Sequence, residues 1–276
     1  MTDSPQEVAW FRWLFHEIQD YRGESLYDDV LVGWIDRARH ALDDCSSFRT
    51  FTPYNRKDEA AQGRMWNLYA LSRVNDMLLS CMREDVAAEP SRPRISRAEY
   101  ADFYTRCGLR LIKLESFTPF YHEIVSVYPS PDDQEPIGIL GHVWPGLMFG
   151  EMLFSRSGVE VLGGSAHIAS EIAEGSTLYF TYERTNRKTC DLSMGWGHNS
   201  QWRTDFRRDY ESNGRRIYNS DGEHILGRPT PEEDRDGLTS EERLELCRHR
   251  CFIKSPKPDS DLWPYDDRFD EPVSSR

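Results

Sequence analysis

The stretch FYHEIVSVY, residues 120–128, changes the period of the chain. Tyr121, Glu123, Val125 and Val127 fall on one side of it and Phe120, His122, Ile124, Ser126 and Tyr128 on the other, the two-residue alternation of a strand. N-terminal to it the apolar residues repeat at helical spacing instead. In SPQEVAWFRWLFHEIQDY (4–21), Ser4, Pro5 and Glu7 read as a helix start, followed by Trp10, Trp13, Leu14 and Ile18 near one face. A second helix is expected from about Leu26 to Leu42, with Leu31, Trp34, Ile35, Ala38 and Leu42 in its stripe. A third helix, or two joined helices, runs from Glu59 to Val86 through Met65, Leu68, Leu71, Val74 and Leu78, until the prolines of AEPSRPRI (88–95) stop it. Ser96 with Glu99 then opens a fourth, whose stripe is Tyr100, Phe103, Tyr104, Cys107, Leu111 and Leu114.

C-terminal to the switch, GLMFGEMLF (146–154), GVEVLGG (158–164), STLYFTYER (176–184) and RRIYN (215–219) read as strands. Their short spacing and Gly, Pro, Asn and Asp punctuation favour antiparallel pairing, and no strand and crossover-helix alternation argues for a doubly wound sheet. Residues 221–238 read as an exposed connection, and Thr239 with Glu242 caps a helix over SEERLELCRHRCF (240–252). The tail beyond it is rich in Pro, Asp and Ser, with Leu262, Trp263, Tyr265 and Phe269 available to wrap the fold. The expectation is an α+β fold: a helical N-terminal layer packed against a predominantly antiparallel β central region, with a short C-terminal helix. Its parts are a mainly helical region over 1–118, a β-rich region carrying the site over 119–220, and the connection, helix and tail over 221–276, all in one integrated fold.

At 276 residues the chain is long enough to bury a large core without disulfides or a structural metal. A formal net charge of −13 argues against a general nucleic-acid binder, because phosphate contacts need concentrated positive charge. It leaves room for an arginine pocket, since net charge describes a whole surface and not one cleft. No apolar run approaches membrane-spanning length, and the first residues carry acids where a secretory signal has a basic region. With six cysteines at low density, a cytoplasmic protein with reduced thiols is expected.

Four of the eight histidines, His122, His142, His167 and His198, fall in the central region near glycine, proline or acidic residues. Imidazoles with a carboxylate such as Glu171 are the donor set for a divalent transition metal, iron or zinc, with positions left open for substrate. No HExxH pair, phosphate-binding glycine loop or GxSxG elbow is present to fix the chemistry further.

The polar run GWGHNSQWRTDFRRDY (195–210) marks the other half of a candidate site. Trp202, Phe206 and Tyr210 share a face at either strand or helix spacing, as do Arg203 and Arg207. Two guanidiniums beside an aromatic anchor suit a carboxylate or phosphate, with Asn199 and Gln201 orienting polar substrate atoms. Alternatively, Asp205 and Asp209 neutralise the arginines locally while the aromatics enter the core. The loop GHVWPGLMFGE (141–151) offers His142 and Trp144 as a second wall.

These residues point to a small-molecule enzyme acting on an anionic substrate. One version is metal-dependent hydrolysis or oxidation on the central histidines. In a metal-free version His142 or His198 moves the proton. The alternative is a non-catalytic acidic interaction or inhibitory protein that selects a basic protein partner, with tryptophans such as Trp144, Trp196 and Trp202 as anchors.

Overall fold

The computed structural model describes residues 10–82, 93–190, 202, 204–227, 237–257 and 266–273. Helix α1 spans Trp10–Asp20 and buries Phe11, Leu14, Phe15 and Ile18. Its apolar stripe is therefore one residue away from the expected Trp13, which is 63% exposed. A π-helical turn, Tyr27–Leu31, leads into α2, Val32–Asp44. In α3, Glu59–Cys81, Asp58 caps the first turn by accepting from the amides of Ala60 and Ala61. The helix packs against α1 on one side and reaches the sheet on another, so it buries Arg73, Asn75 and Asp76 along with its leucines.

Helix α4, Arg97–Arg106, has the full capping box of Ser96 and Glu99. It ends earlier than its apolar spacing suggests. Gly108 takes a left-handed φ of +92°, and Leu111 belongs to strand β1, Arg110–Ile112.

The strands that follow are β2 His122–Pro129, β3 Gly138–Trp144, β4 Gly146–Phe149, β5 Met152–Ser155 and β6 Ser157–Gly163. The segment from β3 to β6 is one long bent hairpin. Its inner half, β4 with β5, turns at Gly150, whose φ is +65°. Its outer half, β3 with β6, lies in a different sheet, so the two arms change sheets at Pro145 and Arg156. Close approach at the bend needs glycine: a Cβ on Gly158 would overlap the Trp144 ring lying across it.

Helix α5, Ser170–Gly175, lies over β2 and precedes β7 Leu178–Tyr179 and β8 Thr189–Cys190. Beyond them come β9 Asp209–Ser212, β10 Arg215–Tyr218, β11 His224–Ile225, helix α6 Ser240–His249 and β12 Asp267–Pro272. Asn213 and Gly214, both at positive φ, make the two-residue hairpin turn between β9 and β10.

The larger sheet runs β1-β4-β5-β9-β10-β12-β11 and the smaller β2-β6-β3, with β7 and β8 as a separate pair. The fold is α+β and mostly antiparallel; β2 with β6, β7 with β8 and β11 with β12 are the parallel pairs. One apolar core joins the four N-terminal helices to the larger sheet through Leu147, Phe149, Met152, Phe154 and Tyr210. A second lies under the smaller sheet on Ile124, Val127, Val159 and Val161. No helix among the described residues is long and apolar enough to cross a membrane.

Candidate functional site

Where the bent hairpin passes between the sheets, Arg156 is carried inward and is 4% exposed. A cavity of about 40 Å³ opens beside it, room for a few waters or one small ion. Helix α3 supplies one wall with Ser72, Asn75 and Asp76, and β2 adds Glu123. Phe180, Thr181 and Arg184 come from the segment after β7, Asp205, Phe206 and Arg207 from the run before β9, and Arg250 from the end of α6.

Two ion clusters line this space. In the first, Arg184 holds Glu123 through Nε at 2.8 Å and Nη2 at 3.1 Å, and Asp76 through Nη1 at 2.5 Å. The other Asp76 oxygen accepts from the Tyr182 amide at 2.7 Å. Burial alone would raise the Glu123 carboxyl, but the Arg184 guanidinium overcomes it and holds it below its ordinary range.

In the second cluster three arginines share one carboxylate. Fully buried Asp209 meets Arg156 at 2.9 Å, Arg207 at 3.1 Å and Arg250 at 3.5 Å, and accepts the Asn219 amide at 2.7 Å. Against the effect of burial, these cations hold the Asp209 carboxyl well below the usual carboxylate range. Arg207 is otherwise filled, donating to the Tyr179 hydroxyl at 2.6 Å and the Cys247 carbonyl at 2.5 Å. Arg156 Nε donates to the Pro119 carbonyl at 3.0 Å, while its Nη1 has no partner among the described residues. Nε of Arg250 likewise has none. Burial, then the neighbouring Arg156, pushes the Arg250 guanidinium down to about 9.

Backbone strain gathers at the same place. Four described non-glycine residues have positive φ, and two of them, Phe180 at 60° and Arg250 at 64°, line the cavity. A bulky aromatic in this region is uncommon and is held only by its surroundings. Arg250 occupies the left-handed C-cap of α6, a position glycine usually fills.

Next to the arginines lies a row of rings. Phe117 stacks on His122 at 5.7 Å and on His249 at 6.4 Å, and His142 sits 6.0 Å from His122. Nδ1 of His122 faces the Thr118 amide and carbonyl at 3.0 and 3.1 Å, and Nδ1 of His142 faces the Ser157 hydroxyl at 3.1 Å. Burial pushes His122 down to about 4 and His249 to about 3, so both imidazoles are neutral at pH 7.

Of the residues the sequence marks, Arg207 lies on the cavity wall. His122 and His142 meet each other, but His167 is exposed and bonded to the Gln134 carbonyl at 3.2 Å, and Glu171 is exposed in the first turn of α5. Among the described residues no three of His, Cys, Asp and Glu gather to hold a metal ion. Trp144 and Trp202, expected as site walls, are core side chains. Trp144 is 6% exposed and donates to the Arg156 carbonyl at 2.9 Å, while Trp202 is 2% exposed and packs on Phe15 and Arg73. His198, Asn199, Gln201 and Arg203, with Trp196, lie outside the described residues.

The alternative for the polar run holds for Arg207, which Asp209 neutralises at 3.1 Å while Trp202, Phe206 and Tyr210 are buried. Sequence reading missed Arg156, Arg184, Arg250 and Asp76. A local signal exists for two of them: Arg156 interrupts the apolar run MLFSRSGVEV, and Asp76 interrupts the apolar spacing of α3. No family model, curated protein or solved structure matches the chain, so the reading of this site rests on its geometry.

Proposed function

We propose that the protein binds a small anionic molecule in the arginine-lined cavity and acts on it by proton transfer. The observation that carries this is the uneven second cluster: Arg156, Arg207 and Arg250 share Asp209, and two cavity-lining arginines keep an N–H without a partner. A buried donor left unpaired costs about 1–3 kcal/mol, which a bound acceptor would offset; the lining is mixed, with Asp76, Glu123 and Asp205 beside the arginines. The strained backbone at Phe180 and Arg250 supports the same location. For the proton, Asp205 is on the wall and is held weakly, by the Tyr54 hydroxyl at 3.5 Å, and burial raises its carboxyl above the ordinary range.

Iron or zinc on the central histidines has two imidazoles to rest on among the described residues, fewer than the three protein ligands of a catalytic zinc. The anion pocket therefore carries the proposal by itself. Of the tryptophans expected as anchors for an acidic partner-binding protein, Trp144 and Trp202 are buried, while Trp13 on α1 is an exposed indole.

The test is thermal unfolding of the wild type and Arg250→Gly with small carboxylates, phosphates and sulfates against chloride at matched ionic strength. At least one anion should raise the wild-type Tm by about 5 °C at a hundredfold excess over Kd. The variant, which relieves the left-handed residue, should fold and lose the response. A flat wild-type response across the panel would sink the proposal.

A further inference from the structure

Away from the cavity, we propose that the outer edge of β3 takes up an extended segment of another protein in which apolar and basic residues alternate. The smaller sheet has two edges, β2 and β3, with β6 between them. The β2 edge is closed by side chains: Glu174 accepts from the Val127 amide at 2.7 Å, Asn186 donates to the Val125 carbonyl at 2.8 Å and Arg187 to the Ile124 carbonyl at 3.1 Å. To the β3 backbone, the described residues outside the sheet supply one hydrogen bond, from Arg97 Nη1 to the His142 carbonyl at 3.1 Å, near the end of the strand. An open row of amides and carbonyls is a template for a further strand. GILGHVW (138–144) carries neither a charged residue nor a proline to guard that edge.

The two faces of the sheet set the pattern of the occupant. Ile139 pairs with Val161 of the second core, and with Ile137 it lies half-buried on the rim of that core. Apolar side chains on one face of an added strand extend the cover over both. On the opposite face Glu160 stands across from Gly141, its carboxylate 3.3 Å from where a Cβ on that glycine would be. Asp132, Asp133 and Glu135 precede the same end of β3, and among the described residues none of these four acids is held in an ion pair. Lys254 reaches this neighbourhood but donates to the Ala166 carbonyl at 2.6 Å. Arg97, Lys113 and Glu115 lie at the other end, beside His142. The first half of the edge is therefore acidic, and lysine or arginine at alternate positions answers it. A second copy of the chain brings acid against acid. The bulges at Leu140 and Val143, which have no partner in the register with β6, also bend β3 away from long edge-to-edge pairing.

The probe is a capped peptide of alternating valine and lysine, as long as β3, titrated into the full chain by fluorescence anisotropy at matched ionic strength. It should bind about tenfold more tightly than the same peptide with glutamate for lysine, and Glu160→Lys should weaken it about tenfold. Methylating alternate peptide amides should abolish binding, and the bound peptide should slow hydrogen exchange of amides in 138–143. Equal binding by the glutamate or the methylated peptide, or no binding at all, would overturn the proposal. So would a dimer of the chain, seen in sedimentation and lost in Leu140→Ser, that leaves no edge for the peptide. The thermal response to anions reads the cavity separately, so either idea can fail without the other.

Discussion

His122 is 2% exposed and stacked on Phe117, and burial pushes its imidazole down to about 4, below the ordinary value near 6.5. The unfolded chain therefore takes up a proton between about pH 6.5 and 4 that the folded chain refuses. Stability from this group is complete above pH 6.5, declines as the pH falls to about 4, and is flat below that; a shift of this size corresponds to about 3 kcal/mol. His122→Gln should remove about 1.4 kcal/mol from the stability change for each pH step between 6 and 5, read from urea midpoints. An unchanged slope would show that His122 is not held neutral.

The same scale explains what single residues reveal in the sequence. Arg207 stands out beside its aromatic neighbours, and its near partner Asp209 is two positions away. Its other partners, Tyr179 and Cys247, lie 28 and 40 positions away, where no local pattern reaches. Arg250 looks like one charge in a basic helix end until the chain reversal at its φ of 64° turns it toward Asp209.

Among the elements, those stabilised by their own side chains are the legible ones. The boxes Ser96–Glu99 and Thr239–Glu242 mark the starts of α4 and α6, because both partners of each bond lie within four residues. Thr239→Ala should lower stability by about 1 kcal/mol in chemical denaturation, with loss of helical signal confined to the first turn of α6. No change would mean that packing of Leu246 and Cys247 alone fixes that helix. Apolar spacing misplaces the end of α4, since Leu111 continues the helical period while Gly108 breaks the backbone. The parallel pairing of β2 with β6 is invisible locally: their partnered residues are some thirty-five positions apart, as in His122 with Ser157.

At the scale of the molecule, the change of period near residue 120 makes the α+β class readable, while the buried ion clusters depend on the packing of α3, the bent hairpin and α6 together. Asp209 is the point where that packing meets opposed charge. Asp209→Asn leaves three guanidiniums without their shared carboxylate and should lower stability by about 3–5 kcal/mol, measured by urea unfolding. A loss below about 1 kcal/mol would show that the arginines find other counter-charges.

The order of the larger sheet bears on how the chain acquires this structure as it is made. Strand β12 is the last of the seven in sequence, yet it lies between β10 and β11, pairing with one on each side. During synthesis β10 thus waits with an open edge, and β11 with no neighbour in the sheet, until residues 267–272 have left the ribosome. The nascent helical layer can gather early on local contacts, but closure of the sheet is a late, post-emergence event, and the interval before it is when the growing chain most needs protection from pairing with its neighbours.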